Sequence, residues 1–235
     1  MDNIMRRDQE STEFLSDSLH CKQLQDPNSH PYIRNFQDLV SFENEDTAQP
    51  NWSRVYFSDT CEVFRKSAND SNVCIIKAFC TLNYPIDVIY KAIWDPEIRV
   101  AWDKIFLDYK VEKNDEFSEF LYFRIKSPPG ITQRDWIQRR TMIKNYPEHG
   151  SITMHSESID HPDYPVLGNV IRAETKFSGY ILRPLENGRT KLTIISQNDI
   201  KGGIPKKLVS FFAGRTPKKW LKTLSKSCNR LMNTI

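Results

Sequence analysis

The chain has 235 residues, of which 39% are hydrophobic, and this is enough for one domain with a substantial buried core. The net charge of +3 averages an acidic start with a basic end: residues 1–50 hold ten acidic and four basic side chains, whereas residues 200–235 hold nine basic and no acidic ones. The first residues carry charges where a signal peptide needs an apolar core, and no run approaches the ~20 apolar residues that span a bilayer. We therefore expect a soluble, cytoplasmic protein.

Cysteine spacing and motif searches exclude several classes of function. The five cysteines are odd in number and form no closely spaced pair, which argues against a disulfide framework and against a zinc site: Cys21, Cys61, Cys74, Cys80 and Cys228. We find no glycine-rich phosphate loop, nucleophile elbow, zinc-protease helix or calcium-binding loop. His155 and His161 are close in sequence, but an exposed turn is favoured over a metal site there. No cofactor and no metal are therefore expected.

The first half of the chain predicts one helix and three strands. Residues 1–30 are polar and lack sustained periodicity, so we expect an N-terminal extension to a domain that occupies residues 31–235. Apolar residues from Ile33 to Val40 have the spacing of a helix. Segments rich in β-branched and aromatic residues then predict strands at residues 52–57, 61–65 and 73–82.

The second half predicts two short helices and six more strands. Pro85 suits the start of a helix over residues 84–94, and Asp95 ends that helix and caps another over residues 96–102. The further strand candidates are residues 106–111, 116–126, 134–143, 151–159, 170–182 and 191–199. This order predicts an α+β fold in which one curved antiparallel sheet of nine strands wraps around a long C-terminal helix.

The last segment, residues 202–235, has the pattern of an amphipathic basic helix. One stripe contains Trp220, Leu221, Leu224, Cys228 and Leu231, and the opposite face contains Lys219, Lys222, Lys226 and Arg230. Leu208, Phe211 and Phe212 continue the apolar stripe, while Gly214, Thr216 and Pro217 predict a kink or a restart. The basic face suits anionic lipid or nucleic acid, and it is also compatible with an ordinary solvated face.

Three features are candidates for binding a ligand. Arg99 and Asp103 are one helical turn apart, so they form either a plain salt bridge or an oriented guanidinium that binds phosphate. Phe123 and Trp136 lie on neighbouring strand candidates and either pack in the core or hold a quaternary ammonium group by cation–π attraction. Ile131 is expected to be the exposed apolar residue at the tip of a proline-rich turn, which is either a membrane contact or only a turn.

At this point the order of elements and five short strings together resemble the START domain, a lipid-transfer domain family, over residues 31–235. The strings are Arg99-Val-Ala-Trp-Asp103, Arg134-Asp-Trp136, Val170-Ile-Arg-Ala-Glu174, Ser178-Gly-Tyr180 and Asp199-Ile-Lys-Gly-Gly-Ile-Pro205. The resemblance implies a helix-grip fold without catalysis, in which the sheet and the C-terminal helix enclose a tunnel for one lipid and the helix acts as a lid.

Within that family the chain is most similar to the phosphatidylcholine-transfer branch. The resemblance implies that Arg99 and Asp103 meet the phosphate and that Phe123 and Trp136 cage the choline. Gln138 stands at an aromatic position of that branch, so broader phospholipid binding is also expected. The remaining expectations are a tunnel and lid formed by Ile125, Met142, Leu208, Phe211 and Phe212, and membrane docking through Ile131, Lys218, Lys219 and Lys222.

Three hypotheses of function follow. In the first, the chain is a non-catalytic, monomeric phospholipid-transfer protein that touches anionic membranes transiently and binds no nucleic acid. In the second, it is an enzyme of the same helix-grip superfamily, for which Asp103 and His155 are the candidate acid or base groups. In the third, it is a lipid-sensing module that signals to a protein partner through residues 1–30. We rank the hypotheses in this order.

Overall fold

A computed structural model of the protein describes residues 26–67, 73–202 and 206–234, excluding the side chains of residues 206–218. Within these ranges, no helix has both the length and the apolar character needed to cross a membrane. The predicted extension stays a prediction because residues 1–25 lie outside the described residues. His30, at its end, is buried against Phe36 and Phe117.

The described part of the chain contains four α-helices, ten strands and two single turns of 3-10 helix at Pro27–Ser29 and Glu186–Gly188. The helices are α1 (Ile33–Asn44), α2 (Ile86–Trp94), α3 (Pro96–Trp102) and α4 (Lys206–Met232). The strands are β1 (Trp52–Ser58), β2 (Cys61–Ser67), β3 (Cys74–Leu82), β4 (Phe106–Lys113), β5 (Ser118–Ile125), β6 (Gln133–Lys144), β7 (Ile152–Ser158), β8 (Val170–Arg172), β9 (Glu174–Leu185) and β10 (Arg189–Asp199).

All ten strands form one sheet, in the order β1-β2-β3-β10-β9-β7-β6-β5-β4, with β8 paired to β6. Neighbouring strands are antiparallel except for the β6–β8 pair, which is parallel. The predicted strand at residues 170–182 divides into β8 and β9 at Ala173, which donates its N–H to the carbonyl of Asp135. The chain thereby changes from pairing with β6 to pairing with β7 and β10.

The sheet has a helix or helices on each face. Helices α2, α3 and α4 lie on what we call the inner face, where Leu224 and Cys228 of α4 are fully buried in the main apolar cluster. This confirms the predicted apolar stripe of α4, while Lys219 and Lys222 are exposed as expected. Helix α1 lies on the outer face against β7 and β10, over a second, smaller apolar cluster that contains Leu39.

Gly179 of β9 lets α1 approach the outer face closely. A Cβ atom at this position would lie 2.3 Å from Cδ1 of Leu39 and 2.5 Å from the carbonyl oxygen of Met154. Because the second of these atoms belongs to the backbone of β7, a side chain here would displace either the helix or a strand. The neighbouring Ser178 and Tyr180 point to the inner face, since side chains alternate along a strand.

Two expectations from the sequence are wrong. Helix α4 runs without interruption from Lys206 to Met232, although glycine and proline were expected to break it. Local propensity is a weak guide where tertiary context decides, and the buried C-terminal half of α4 supplies such a context. Cys61 and Cys80 form a disulfide, because the register of β2 and β3 places their Cα atoms 4.1 Å apart despite 19 positions of sequence separation.

Arg134, at the start of β6, joins two turns at one end of the sheet. Its guanidinium donates to the carbonyl of Thr132 in the β5–β6 turn and to the carbonyls of Ile200 and Lys201, shortly before α4. The adjoining Gly202 has a φ of 73°, and a Cβ atom there would lie 2.9 Å from Ile171. Glycine at position 202 therefore permits this segment to approach Ile171 closely, and the hydrogen bonds of Arg134 hold the segment in place. We call this arrangement the Arg134 junction.

Candidate functional site

A cavity of about 160 Å³ lies on the inner face, between the sheet and the short helices. Its lining mixes charged, polar, aromatic and aliphatic side chains. The described lining residues are Ile93, Trp94, Arg99, Phe106, Tyr109, Leu121, Phe123, Gln138, Arg140, Met154, Ser156, Ser178, Tyr180 and Asn198. Strand alternation explains most of this set, because Leu121 and Phe123, Gln138 and Arg140, and Ser178 and Tyr180 are pairs of residues two apart.

Arg99 and Asp103 are paired, and both interpretations of the sequence include this contact. The Nε and Nη2 atoms of Arg99 donate to one carboxylate oxygen of Asp103, at 3.2 and 2.8 Å. Both side chains are nearly buried, and the Arg99 guanidinium also lies 4.9 Å from the ring of Trp102 and 5.8 Å from that of Trp220. Because a guanidinium has five N–H donors, further donors remain for a ligand in the cavity.

The pKa of Arg99 is raised above its ordinary value. Burial acts to lower it, but Tyr180, Asp103 and Tyr109 raise it by more. Tyr180 lines the cavity together with Arg99. Arg99 is therefore a permanent positive charge on the cavity wall.

A second arginine–carboxylate pair lies on the sheet side of the cavity. Arg140 donates from Nε to Glu119 at 2.6 Å and from Nη1 to the carbonyl of Trp94 at 2.9 Å. Glu119 is fully buried, and Arg140 is 3% exposed. The sequence reasoning missed this pair, although Gln138 was already assigned to the site and Arg140 lies two residues further on the same face of β6. Glu119 is its direct cross-strand neighbour.

Gln138 lines the cavity and belongs to a chain of hydrogen bonds. Its side-chain amide donates to Thr175 at 2.7 Å, and Thr175 is 2.5 Å from the side-chain oxygen of Asn198. These contacts link β6, β9 and β10 across the cavity wall. They fix the orientation of Gln138 and Asn198 before a ligand arrives.

Phe123 and Trp136 are in contact, but their rings do not form a cage. They are cross-strand partners whose rings stack with centroids 5.0 Å apart and planes 8° apart, so no ligand fits between them. Phe123 lines the cavity, whereas Trp136 is not among the described lining residues. Trp136 covers the back of Phe123.

The other predicted residues fall in three groups. Ile125 and Met142 are not among the described lining residues; Ile125 is half-buried opposite Phe106, and Met142 is fully buried in the core. Ile131 is half-buried in its turn, although it was expected to be exposed. The side chains of Leu208, Phe211, Phe212 and Lys218 lie outside the described residues.

His155 cannot act in the cavity, because it points to the outer face while its neighbours Met154 and Ser156 line the inner one. It lies 3.3 Å from Asn35 of α1. Burial lowers its pKa to about 4; Glu157 partly offsets this shift and Arg139 adds to it. Among the described residues, no group of histidine, cysteine and acidic side chains is arranged to hold a metal ion.

Comparison with known proteins bears directly on this architecture. The family model of the START domain matches residues 35–234. The chain belongs to the START domain family. Its helix-grip fold, in which an antiparallel sheet encloses a C-terminal helix, is confirmed by solved START structures. The crystal structure of human STARD10 has a TM-score of 0.73 at 23% identity and covers 83% of this chain and 79% of that one. Human StAR-related lipid transfer protein 5 has a TM-score of 0.75 at 16% identity, with coverages of 85% and 95%.

Curated START proteins are also similar in sequence. Mouse START domain-containing protein 10 is 24% identical over 196 residues, which cover 82% of this chain and 66% of that protein. Human StAR-related lipid transfer protein 13 is 29% identical over 178 residues, which cover 75% of this chain and 16% of that protein. The chain thus spans slightly less than two thirds of the first relative and a small part of the second.

Proposed function

We propose that this START domain binds one phospholipid with a zwitterionic head group and exchanges it between membranes without chemical change. The observation that carries the proposal is Arg99, a buried guanidinium on the cavity wall that Asp103 orients and does not saturate. A forked array of N–H donors suits the oxygens of a phosphate better than a point charge does. The name of StAR-related lipid transfer protein 13 supports a lipid as the cargo.

The balance of charge favours a zwitterionic head group. Arg99 is matched by Asp103, and Arg140 is matched by Glu119, so the two pairs together are neutral. A head group with a net negative charge would leave an uncompensated charge in a largely buried site, which is costly. A phosphate that carries its own ammonium group adds no net charge. Since both carboxylates are engaged by arginine, the same pairing supports binding over acid–base catalysis.

The cavity is large enough for only one part of a phospholipid. Pockets that enclose drug-sized ligands typically measure ~300–1,000 Å³, and this cavity, at about 160 Å³, is smaller. It is large enough for a head group and too small for two acyl chains. We infer that the acyl chains lie along α4, which moves outward as the lipid enters and closes over it afterwards.

Arg99→Lys tests the head-group site, because lysine keeps the charge opposite Asp103 and loses the forked donors. We expect the wild-type protein to carry one phospholipid in native mass spectrometry after incubation with phosphatidylcholine vesicles, and the variant to retain about tenfold less. Arg54→Lys, at an exposed position on β1, is the matched control and should bind normally. Equal occupancy in all three proteins would refute the role of Arg99.

Substitutions on the basic face of α4 test whether this face contacts the membrane during transfer. Lys222→Gln with Lys226→Gln removes two exposed charges without touching the cavity. We expect transfer from vesicles with anionic lipid to slow several-fold, and the difference to vanish at high salt, because surface charges are screened within about one Debye length. Lipid occupancy should be unchanged. An unchanged transfer rate would exclude docking through this face.

A further inference from the structure

Two aromatic residues of the edge strand β4, Phe106 and Tyr109, line the cavity together although they are three residues apart. Residues at this spacing normally point to opposite faces of a strand. The register of β4 explains the exception: Phe106 pairs with Ile125, and Asp108 already pairs with Arg124, so Leu107 is an extra residue. This β-bulge turns Tyr109 to the same face as Phe106, and bulges commonly re-aim side chains beside functional sites.

The bulge completes a wall of three rings. The ring of Phe106 lies 4.7 Å from that of Tyr109 and 5.5 Å from that of Phe123, each at a steep angle. Tyr109 and Phe123 are cross-strand partners with centroids 6.4 Å apart. Phe106 and Tyr109 are half-buried, so ring surface remains for contact with a ligand.

The wall adjoins the predicted phosphate position. The guanidinium of Arg99 lies 5.4 Å from the ring of Phe106, and Tyr109 is the next inward ring along β4. In phosphocholine and phosphoethanolamine, a two-carbon bridge joins the phosphate oxygen to the nitrogen. A phosphate on Arg99 therefore holds its ammonium group within reach of Tyr109, with the negative phosphate between the two cations.

We propose that Phe106 and Tyr109 hold the ammonium group of the head group, and that Tyr109 is the residue that determines selectivity for a zwitterionic phospholipid. This inference rests on the proposed function. The π faces of aromatic rings attract ammonium groups, and a partly desolvated site strengthens the attraction. Trp136, to which the resemblance assigns this role together with Phe123, stacks on Phe123 instead.

Competition between phosphatidylcholine and phosphatidic acid tests the inference, because the two lipids share acyl chains and a phosphate but only the first has an ammonium group. The protein is incubated with vesicles that contain both lipids in equal amounts and identical chains, and the bound lipids are quantified by mass spectrometry. Tyr109→Leu should lower the ratio of phosphatidylcholine to phosphatidic acid by about threefold to thirtyfold. Tyr109→Phe, which returns the ring, should restore it.

A control and a second variant make the outcome decisive. Phe57→Leu removes an exposed ring from β1, the opposite edge strand, and should leave the ratio unchanged. Deletion of Leu107 leaves Phe106 and Tyr109 two residues apart, the ordinary spacing of residues that share a face, so it should keep the wild-type ratio. If Tyr109→Leu keeps the wild-type ratio while still taking up lipid, the inference fails and the proposed function stands. If the wild-type protein takes up neither lipid, the proposed function itself fails.

Discussion

The two faces of the sheet are made by the same strands but are filled differently. On the outer face, α1 approaches so closely that only glycine fits at position 179, and His155 is 4% exposed. On the inner face, the same strands leave a cavity of about 160 Å³ between Arg99 and Arg140. The difference indicates a division of labour: outer-face substitutions should change the free energy of unfolding, whereas inner-face substitutions should change binding.

The largest expected change in stability is an exception to this rule, because it comes from Glu119, which lies on the inner face. Glu119→Ala leaves Arg140 buried without its carboxylate, and removing one partner of a buried ion pair typically costs ~3–5 kcal/mol. Urea denaturation should show a fall of this size in the free energy of unfolding.

A double variant separates the unpaired charge from loss of packing. Glu119→Leu with Arg140→Met removes both charges and keeps most of the volume, so it should be much closer to the wild type in stability. If the single variant is no less stable than the double one, the pair does not stabilise the fold in this way.

Gly179→Val tests how tightly α1 packs on the outer face. The new side chain collides with Leu39 and with the backbone of β7, so we expect a loss near the upper end of the ~1–3 kcal/mol that overpacking usually costs. The matched control is Gly168→Ala, where an added Cβ atom meets nothing within 4 Å, and its stability should change by less than about 0.5 kcal/mol. A tolerated valine at position 179 would contradict the tight packing of α1.

A smaller effect is expected in the pH dependence of stability, because His155 is buried on the outer face. His155 has a pKa of about 4 in the folded protein, lowered by burial from 6.5, so the unfolded chain binds more protons between these values. Stability is therefore full above pH 6.5 and falls as the pH drops towards 4, by ~2 kcal/mol between pH 7 and pH 5. His155→Gln should flatten this part of the curve in denaturation measurements, and an unaltered slope would assign the effect to other groups.

Much of the fold follows from periodicity. Alternation of Leu121 and Phe123 with Tyr122 correctly predicts which side chains face inward, and the spacing of Leu224 and Cys228 predicts the buried stripe of α4. Both succeed because each element buries one face, which a fixed repeat reveals. The oriented pair of Arg99 and Asp103 could also be predicted, since one helical turn places the two side chains together.

The rest depends on register between strands that are distant in sequence. Spacing along one chain does not show that Glu119 pairs with Arg140, or that Cys61 meets Cys80. The bulge at Leu107 reverses the expected side of Tyr109, and a one-residue change of register does this to every side chain that follows. Spacing predicts that Phe123 and Trp136 lie on neighbouring strands. It does not predict that their rings stack against each other.

The Arg134 junction has a practical consequence for following this domain in motion. One guanidinium holds the β5–β6 turn and the residues just before α4, so neither segment can shift far unless hydrogen bonds break. Displacement of residues 200 and 201 must therefore either move the β5–β6 turn with them or break these hydrogen bonds. A fluorophore attached near Ile131 would consequently act as a remote reporter of the segment that follows β10, without chemical modification of that segment.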